Sequence, residues 1–264
     1  AIELGALNNQ RVIDLARRHE RSLYRRADAV TVLSEDQAAN VRAKTDDPSK
    51  VHVIQNFVDL DRVQVQDRQT PYRHRHGLGD ELVVMYSGNV GLSQSFELVR
   101  AAADHFADRN DVRFVINGEG AARDEVDSWA GRRPNVVVSD FAPREQVSEV
   151  LGAAELHLIR LKAGLSRSST PSKLYGILAA GRPLLASIDE GSEVANIVAA
   201  ADAGRSVPPE QVEVFLSQLE DLLSDPEELR RQGSNARAYV ERCLTPVAQA
   251  LAYENLFSRL SERR

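Results

Sequence analysis

The chain contains a long stretch in which short apolar runs alternate with amphipathic segments. Apolar runs of three to five residues predict buried strands, and segments with apolar positions three and four apart predict helices. Strands alternating with helices indicate an α/β fold with a doubly wound, parallel, Rossmann-like sheet. The predicted strands are Leu82–Tyr86, Arg113–Ile116, Val136–Val138, Leu156–Ile159 and Leu184–Ser187, and the helices that follow them end near Phe106, Ala130, Leu151, Ala179 and Ala199.

The N-terminal part follows a less regular pattern. A helix is predicted over Leu7–Ala27, and two short apolar runs, Ala29–Leu33 and Val51–Ile54, predict strands. Ser34, with Gln37 three positions later, forms a capping-box pattern that is typical of a helix start. The N-terminal part is therefore predicted to contain two strands that are separate from the sheet of the regular domain.

Two further segments complete the pattern. Residues 56–80 are polar and lack sustained periodicity, which indicates a linker between domains, so the arginines and histidines at 73–76 are expected to be solvated. Residues 209–262 predict three helices, with breaks near Pro226 and Pro246.

Composition narrows the function. The 264 residues carry a formal net charge of −6, which argues against a nucleic-acid partner. The single cysteine, Cys243, excludes a disulfide within the chain, and a reducing cytoplasm is the natural compartment. No apolar run approaches a membrane span. The arginines of the first helix are either a solvated face or a surface for anionic lipid headgroups, that is, peripheral membrane contact.

Two glycine-rich turns follow successive predicted strands. Gly88-Asn89-Val90-Gly91 closes the first strand of the regular domain, and Asn117-Gly118-Glu119-Gly120 closes the second. Parallel strands end at one edge of the sheet, where ligands bind in open α/β folds and where glycines let the backbone approach a phosphate. The alternative, two ordinary strand-to-helix turns that bind nothing, remains open.

The loop at residues 161–171 is long for this fold and includes Lys162 and Arg167. It ends in Pro171-Ser172-Lys173, where a helix begins. A lysine in the first helical turn opposes the helix dipole, and this mismatch makes sense if an anion binds there. Farther on, Asp189 to Glu193 follow another strand. Those carboxylates either bind sugar hydroxyls or merely favour the start of the next helix. The six histidines show no metal-ligand spacing, and no metal is expected.

The segments resemble, in order, the GT-B glycosyltransferases of the family-four type, which builds bacterial surface polysaccharides. The resemblance is carried by YRRADAVTVLSEDQAANV and KVHVIQNFVDLDRV, then by VVMYSGNVGLSQSFELVRAA, RFVINGEGAARDEV and NVVVSDFAPREQVSEVLGAAELHLIRLKAG, and most specifically by TPSKLYGILAAGRPLLASIDEGSEVANIV. It covers nearly the whole chain. Residues 1–56 resemble the last third of an N-terminal acceptor-side domain, 57–80 the interdomain linker, 81–242 the donor-binding domain, and 243–264 a C-terminal helix that packs back toward the N-terminal domain. The chain is therefore expected to be truncated at its N-terminus.

The resemblance implies retaining transfer of a sugar from a nucleotide-diphosphate sugar, with UDP the expected nucleotide, to a saccharide or lipid-linked acceptor. It implies neither a metal nor another cofactor. Lys173 is the expected catalytic residue, because charge grows on the departing phosphate. The expected donor-binding residues are Gly88, Asn89, Gly91, Gln94, Asn117, Gly118, Gly120, Phe141, Thr170, Pro171, Ser172, Leu174 and Glu193.

The chain also departs from the family pattern. Many members carry two glutamates seven residues apart, and Ser168 and Gly176 stand at those positions here, so Glu193 is the candidate partner of the ribose. Many members have basic residues in the first glycine turn and its helix, where this chain has Leu92 and Gln94 or Ser95. Two other functions stay open: a nucleotide-sugar 2-epimerase, and a nucleotide-sugar-binding module without catalysis.

Overall fold

The computed structural model describes residues 9–91, 96–166 and 171–262. Its main feature is a parallel six-stranded sheet in the order β5-β4-β3-β6-β7-β8. The strands are β3 (Leu82–Ser87), β4 (Val112–Asn117), β5 (Val136–Ser139), β6 (Leu156–Arg160), β7 (Leu184–Ser187) and β8 (Gly204–Val207). The predicted doubly wound sheet is confirmed.

Helices cover both faces of this sheet, which is why its central strands are apolar on both sides. One face packs against α4 (Glu97–His105), α5 (Arg123–Ala130) and α9 (Val212–Leu223). The other packs against α7 (Lys173–Ala179), α8 (Glu193–Ala201) and α10 (Pro226–Cys243). A smaller cluster on this second side includes α3 (Pro71–Arg75) and α6 (Val147–Gly152).

The N-terminal part forms a separate two-stranded parallel sheet. β1 (Val30–Val32) pairs with β2 (Val51–Val53), and the helices there are α1 (Gln10–Arg26) and α2 (Glu35–Arg42). The Ser34 hydroxyl accepts the N–H of Gln37, as the capping-box pattern predicts. The last helix, α11 (Pro246–Ser261), lines a groove together with β2. No helix in the described ranges is both long and apolar enough to cross a membrane.

The structure corrects the sequence analysis at two places. β8 was not predicted, because a four-residue edge strand needs no continuous apolar run. Arg73, expected to be solvated in the linker, is fully buried on α3. Its guanidinium donates to the carbonyl oxygens of Ala153 and Gly79 and lies 2.7 Å from a carboxylate oxygen of Glu155. The segment that the pattern indicated as a linker is therefore fastened to the regular domain.

Candidate functional site

The sheet has a switch point where its strand order reverses, between β3 and β6. Chain connections leave these two neighbouring strands in opposite directions, and this opens a crevice at their carboxyl ends, where ligands bind in open α/β folds. Gly88 follows β3 directly, and α7 begins beyond the loop that follows β6. The turn at Gly88, the turn at Asn117 and the start of α7 therefore share one edge of the sheet, as the sequence predicts.

The two glycine turns pack tightly against each other. A Cβ atom on Gly118 would overlap the carbonyl oxygen of Gly88, and one on Gly120 would overlap that of Val90. The N–H of Gly88 donates to the backbone carbonyl of Asn117 at 2.9 Å, and the N–H of Gly118 donates to the backbone carbonyl of Ser139 at 2.8 Å. Those two N–H groups are already used within the protein, so the conformation of these glycines serves the close contact between turns.

Asn117 lies beneath the turns rather than on them. It is buried, and its side-chain amide donates to the Ser139 hydroxyl at 2.9 Å and to the carbonyl of Asp140 at 2.8 Å. Its amide oxygen accepts from the Ser87 hydroxyl at 3.2 Å. This side chain joins the carboxyl ends of three adjacent strands, so its evident role is to fix their spacing. Asn89 and Gly120, by contrast, are exposed at the edge.

Lys173 points from the start of α7 toward the Gly88 turn. A Cβ atom on Gly88 would lie 2.9 Å from Lys173 Nζ. The same Nζ lies 3.7 Å from the centroid of the Tyr86 ring, which is a cation–π distance. Nζ is buried, and it has no hydrogen-bond partner among residues 9–91, 96–166 and 171–262. An ammonium group has three donors, and within the described residues none of them is used for a hydrogen bond.

A second cation, which the sequence analysis did not single out, lies at the same place. Arg160 is the last residue of β6 and is 1% exposed. Its Cζ lies 4.4 Å from the centroid of the Tyr86 ring and 4.1 Å from that of Phe96. The available signal was a charged residue at the end of the buried strand Leu156–Arg160, at the switch point.

Burial disfavours the charged forms of both Lys173 and Arg160. Burial, and next the charge of Arg160, lower the pKa of Lys173 well below its ordinary value. Burial likewise lowers the pKa of Arg160 to about 10, which leaves it charged at neutral pH. Burial raises the pKa of Tyr86 to about 12, although Arg160 opposes that rise. A bound anion beside Lys173 would favour the charged form of its ammonium group.

The other residues predicted near α7 differ in placement. Ser172 is exposed at the helix start and makes no side-chain cap, and Pro171 is partly buried beside it. Leu174 is fully buried in the core, and its N–H donates to the carbonyl of Pro171 at 3.2 Å, so its role is to anchor the helix. Gln94 and Thr170, together with Arg167, lie outside the described residues.

A second concave region lies at the β4–β5 end of the same edge. Its volume is about 430 Å³, and its lining includes Tyr72, His76, Arg123, Asp140 and Phe141. Arg123 fixes one wall by contacting the Asp140 carboxylate at 2.6 Å and the Gly118 carbonyl at 2.9 Å. The Phe141 ring is 50% exposed, which leaves an aromatic face available for stacking.

The carboxylates after β7 hold loops and elements together. Asp189 accepts hydrogen bonds from the Gly164 N–H at 3.0 Å and from the Ser166 hydroxyl at 2.8 Å. Glu193 is buried, and its carboxylate accepts from Gln55 Nε2 at 2.6 Å. Burial is the main cause that raises the pKa of Glu193. This contact links α8 to the N-terminal part, and a ribose contact by Glu193 stays a prediction.

Family profiles of glycosyltransferases match both the N-terminal part and the regular domain of the chain. The family profile described as "Glycosyl transferases group 1" matches residues 69–239, and "Glycosyltransferase Family 4" matches residues 5–62. The alpha-D-kanosaminyltransferase of Streptomyces kanamyceticus is 28% identical over 238 residues, covering 86% of this chain and 59% of that protein. The putative colanic acid biosynthesis glycosyl transferase WcaI of Escherichia coli is 27% identical over 240 residues, covering 89% and 58%.

A solved structure gives the same architecture. Anabaena HepE in complex with UDP-glucose superposes with a TM-score of 0.77 at 16% identity, covering 92% of this chain and 67% of HepE. The chain spans less than two thirds of the length of the two relatives named above. The family-four resemblance is confirmed by the two profiles, of which the first alone covers more than half of the chain. The protein therefore belongs to the glycosyl transferases group 1 family.

Proposed function

We propose that the chain carries the donor-binding part of a glycosyltransferase that uses a nucleotide-diphosphate sugar. The observation that carries this proposal is Lys173 Nζ, buried at the switch point without a hydrogen-bond partner in the described part of the chain. It points to the turn at Gly88, which follows the central strand β3. A diphosphate placed there would supply acceptors for these donors and would neutralise the charge.

The proposed chemistry uses that charge. The bond between the anomeric carbon and the diphosphate oxygen breaks, and its electron pair stays on that oxygen. The acceptor hydroxyl oxygen bonds to the anomeric carbon, and its proton leaves with the nucleotide diphosphate. Negative charge on the departing phosphate grows during the reaction, so a fixed cation stabilises the transition state more than the ground state. We propose Lys173 as that cation, without a metal or other cofactor.

The proposed donor is UDP-linked. HepE, which shares the fold, was crystallised with UDP-glucose and with UDP. Here the phosphates would lie over Gly88 and beside Lys173, and the uracil would enter the region beside Phe141. The exposed residues Asn89, Gly120 and Ser172 border this path. Gly91, Gln94 and Thr170 belong to the same proposed contact set, as does Glu193 for the ribose.

The proposed acceptor is a saccharide or a lipid-linked saccharide, and the proposed role is surface polysaccharide synthesis with retention. Support comes from the family-four profile and from WcaI, which is described as a colanic acid biosynthesis enzyme. A cytoplasmic location, with peripheral contact to the inner face of the plasma membrane, fits this role. On α1, Val12, Leu15 and Leu23 are 45%, 67% and 53% exposed, and the exposed arginines of the same helix suit anionic headgroups.

Calorimetry with the 264-residue chain tests the donor site. UDP should bind and should raise the melting temperature, since a ligand of the folded state stabilises it. A folded sample that binds no UDP at millimolar concentration would exclude the site. Radiolabelled sugar transfer to an acceptor by the whole protein then tests catalysis. Interconversion of the donor sugar without an acceptor would identify an epimerase instead, and donor binding without either reaction would identify a binding module.

A further inference from the structure

A cavity lies at the edge of the sheet where the strands begin, opposite the candidate donor site. Its volume is about 410 Å³, and its lining includes Leu82, the first residue of β3, together with Glu155 and Pro183, which directly precede β6 and β7. The donor site lies where these strands end. Strands of four to six residues, about 13–20 Å of extended chain, separate the two edges. The cavity is therefore separate from the donor site.

Three arginines and one carboxylate lie at this cavity. Arg68 and Arg73 place guanidinium nitrogens 3.0 Å and 2.7 Å from the two oxygens of Glu155. Arg182 lines the cavity with Arg68 and Glu155 but forms no ion pair in the described part of the chain. Its Nη2 donates to the carbonyl of Gln66 at 2.8 Å, and its Nε is buried without a hydrogen-bond partner among the described residues. One carboxylate thus serves two of the three cations.

The rest of the lining is largely apolar. Val65, Pro226 and Leu229 form part of the wall, and the other carboxylate of the lining, Asp67, is exposed to solvent, which screens its charge. Burial is the main cause that lowers the pKa of Arg182, which Glu155 opposes. An anion close to this guanidinium would favour its charged form. The cavity therefore combines a cation with apolar surface, at a volume that suits a small organic molecule.

We propose that this cavity is a second ligand site, which binds a small organic anion: an apolar body that carries one carboxylate or phosphate group. The guanidinium of Arg182 binds the anionic group, because its planar fork matches the oxygens of either group. Val65 and Pro226 contact the apolar body. Residues 65–68 belong to the segment between the N-terminal part and the sheet, so a bound anion fastens that segment to the regular domain.

Calorimetry with the 264-residue chain at fixed ionic strength tests the site with four probes: phenyl phosphate, benzoate, inorganic phosphate and benzyl alcohol. Phenyl phosphate or benzoate should bind at millimolar concentration, at least about tenfold more tightly than inorganic phosphate or benzyl alcohol, because only these two offer both charge and apolar surface. The tighter of the two identifies the anionic group that the site prefers. Lys173→Ala should bind both as the wild type does, since the donor site is elsewhere.

Arg182→Met should weaken binding of the preferred anion by about tenfold or more, and Arg182→Lys should recover part of the loss. Arg237→Met is the matched control. Arg237 also donates to a carbonyl of the segment at residues 56–80, that of Val63 at 3.0 Å, but it is not part of the cavity lining. The control should lose stability and keep its affinity for the anion.

Ser234→Asp tests the site without removing a buried arginine, in case Arg182→Met does not fold. Ser234 is exposed on α10 and lines the cavity, so a carboxylate there should repel the anion and weaken its binding by about threefold or more. Ser217→Asp makes the same change at an exposed position of α9 outside the lining and should have no effect.

Four results would overturn the proposal. The first is that neither phenyl phosphate nor benzoate binds at millimolar concentration, and the second is that benzyl alcohol binds as tightly as they do. The third is wild-type affinity in folded Arg182→Met or in Ser234→Asp. The fourth is loss of anion binding in Lys173→Ala, which would place the anion in the donor site instead.

Discussion

Lys173 and Tyr86 form a cation–π pair, with Nζ 3.7 Å from the centroid of the ring. The two residues come from different elements: Tyr86 lies in β3, and Lys173 is the first residue of α7. The Tyr86 hydroxyl donates to the carbonyl of Asn89 at 2.6 Å, which ties the ring to the first glycine turn. One ring therefore positions both the turn and the cation that faces it.

We expect Lys173→Ala to lower the turnover of the whole protein by about a hundredfold or more, the usual effect of removing an electrostatic stabiliser. Affinity for UDP should fall less, because the charge on the leaving phosphate grows only as the bond breaks. Initial rates and calorimetry on the same samples measure both effects. Lys162→Ala, which removes a lysine from the neighbouring loop, is the control and should stay near the wild type. Near-normal turnover of Lys173→Ala, combined with an inactive Lys162→Ala, would assign the leaving group to the loop instead.

UDP affinity should fall as pH rises through the lowered pKa of Lys173, at a lower pH than an ordinary lysine would cause. The cationic form of Lys173 binds the phosphate, and burial and Arg160 lower the pKa of this residue in the free chain. Bound UDP favours the charged form, so binding near the lowered pKa should take up a proton. Calorimetry in buffers of different ionisation enthalpy measures that uptake.

The lowered pKa of Lys173 also determines how the free energy of unfolding of the chain changes with pH. With a lowered pKa, the folded chain without ligand holds fewer protons than the unfolded chain between the lowered value and the ordinary 10.5. Its free energy of unfolding should therefore contain a contribution that rises with pH in that window. Lys173→Met should remove both this contribution and the proton uptake. Proton uptake that persists in Lys173→Met would show that another group titrates.

Gly88→Ala should weaken UDP binding at least about tenfold, a loss of about 1.4 kcal/mol. Gly88 has a φ of 144°, where a side chain is strained, and the added methyl would press on Lys173 Nζ at 2.9 Å. Gly77→Ala is the control, since Gly77 also has a positive φ, 63°, but nothing lies within 4 Å of its added methyl. Both variants should lose stability, by about 1–3 kcal/mol of backbone strain. Equal UDP affinity of the two folded variants would contradict the placement of the phosphate.

The sheet, and the edge at which the candidate site lies, could be predicted from the sequence, because both follow from the order of apolar runs. Strand ends fix where loops emerge, and parallel pairing then brings the turns at Gly88 and Asn117 to one edge. The lysine at the start of α7 was visible as a local mismatch with the helix dipole.

The partners of individual polar residues could not be predicted in the same way. Arg73 has the sequence context of a solvated linker residue, yet it is neutralised by Glu155, which lies far along the chain. In the sequence, Arg160 has the pattern of a polar residue at the end of a strand. In the structure its guanidinium is covered by the ring of Phe96, which lies just before α4. Asn117 has the position of a ligand contact, yet its amide is used by Ser139 and Ser87. Such pairings are set by tertiary packing rather than by local pattern.

Phe141→Ala should weaken binding of the uracil base without weakening binding of the phosphates. Its half-exposed ring borders the region of about 430 Å³ at the β4–β5 end of the edge, away from Lys173. Stacking of a base on an aromatic ring contributes about 1–3 kcal/mol, so the variant should lose both UDP and uridine affinity while inorganic pyrophosphate binds normally. Lys173→Ala should show the reverse, with pyrophosphate binding weakened and uridine binding kept. Phe257→Ala, which removes a 59% exposed ring from α11, is the control and should change none of these affinities. If Phe141→Ala weakened pyrophosphate as much as UDP, the base would lie elsewhere and the ring would act on the phosphate site through the Gly118 turn.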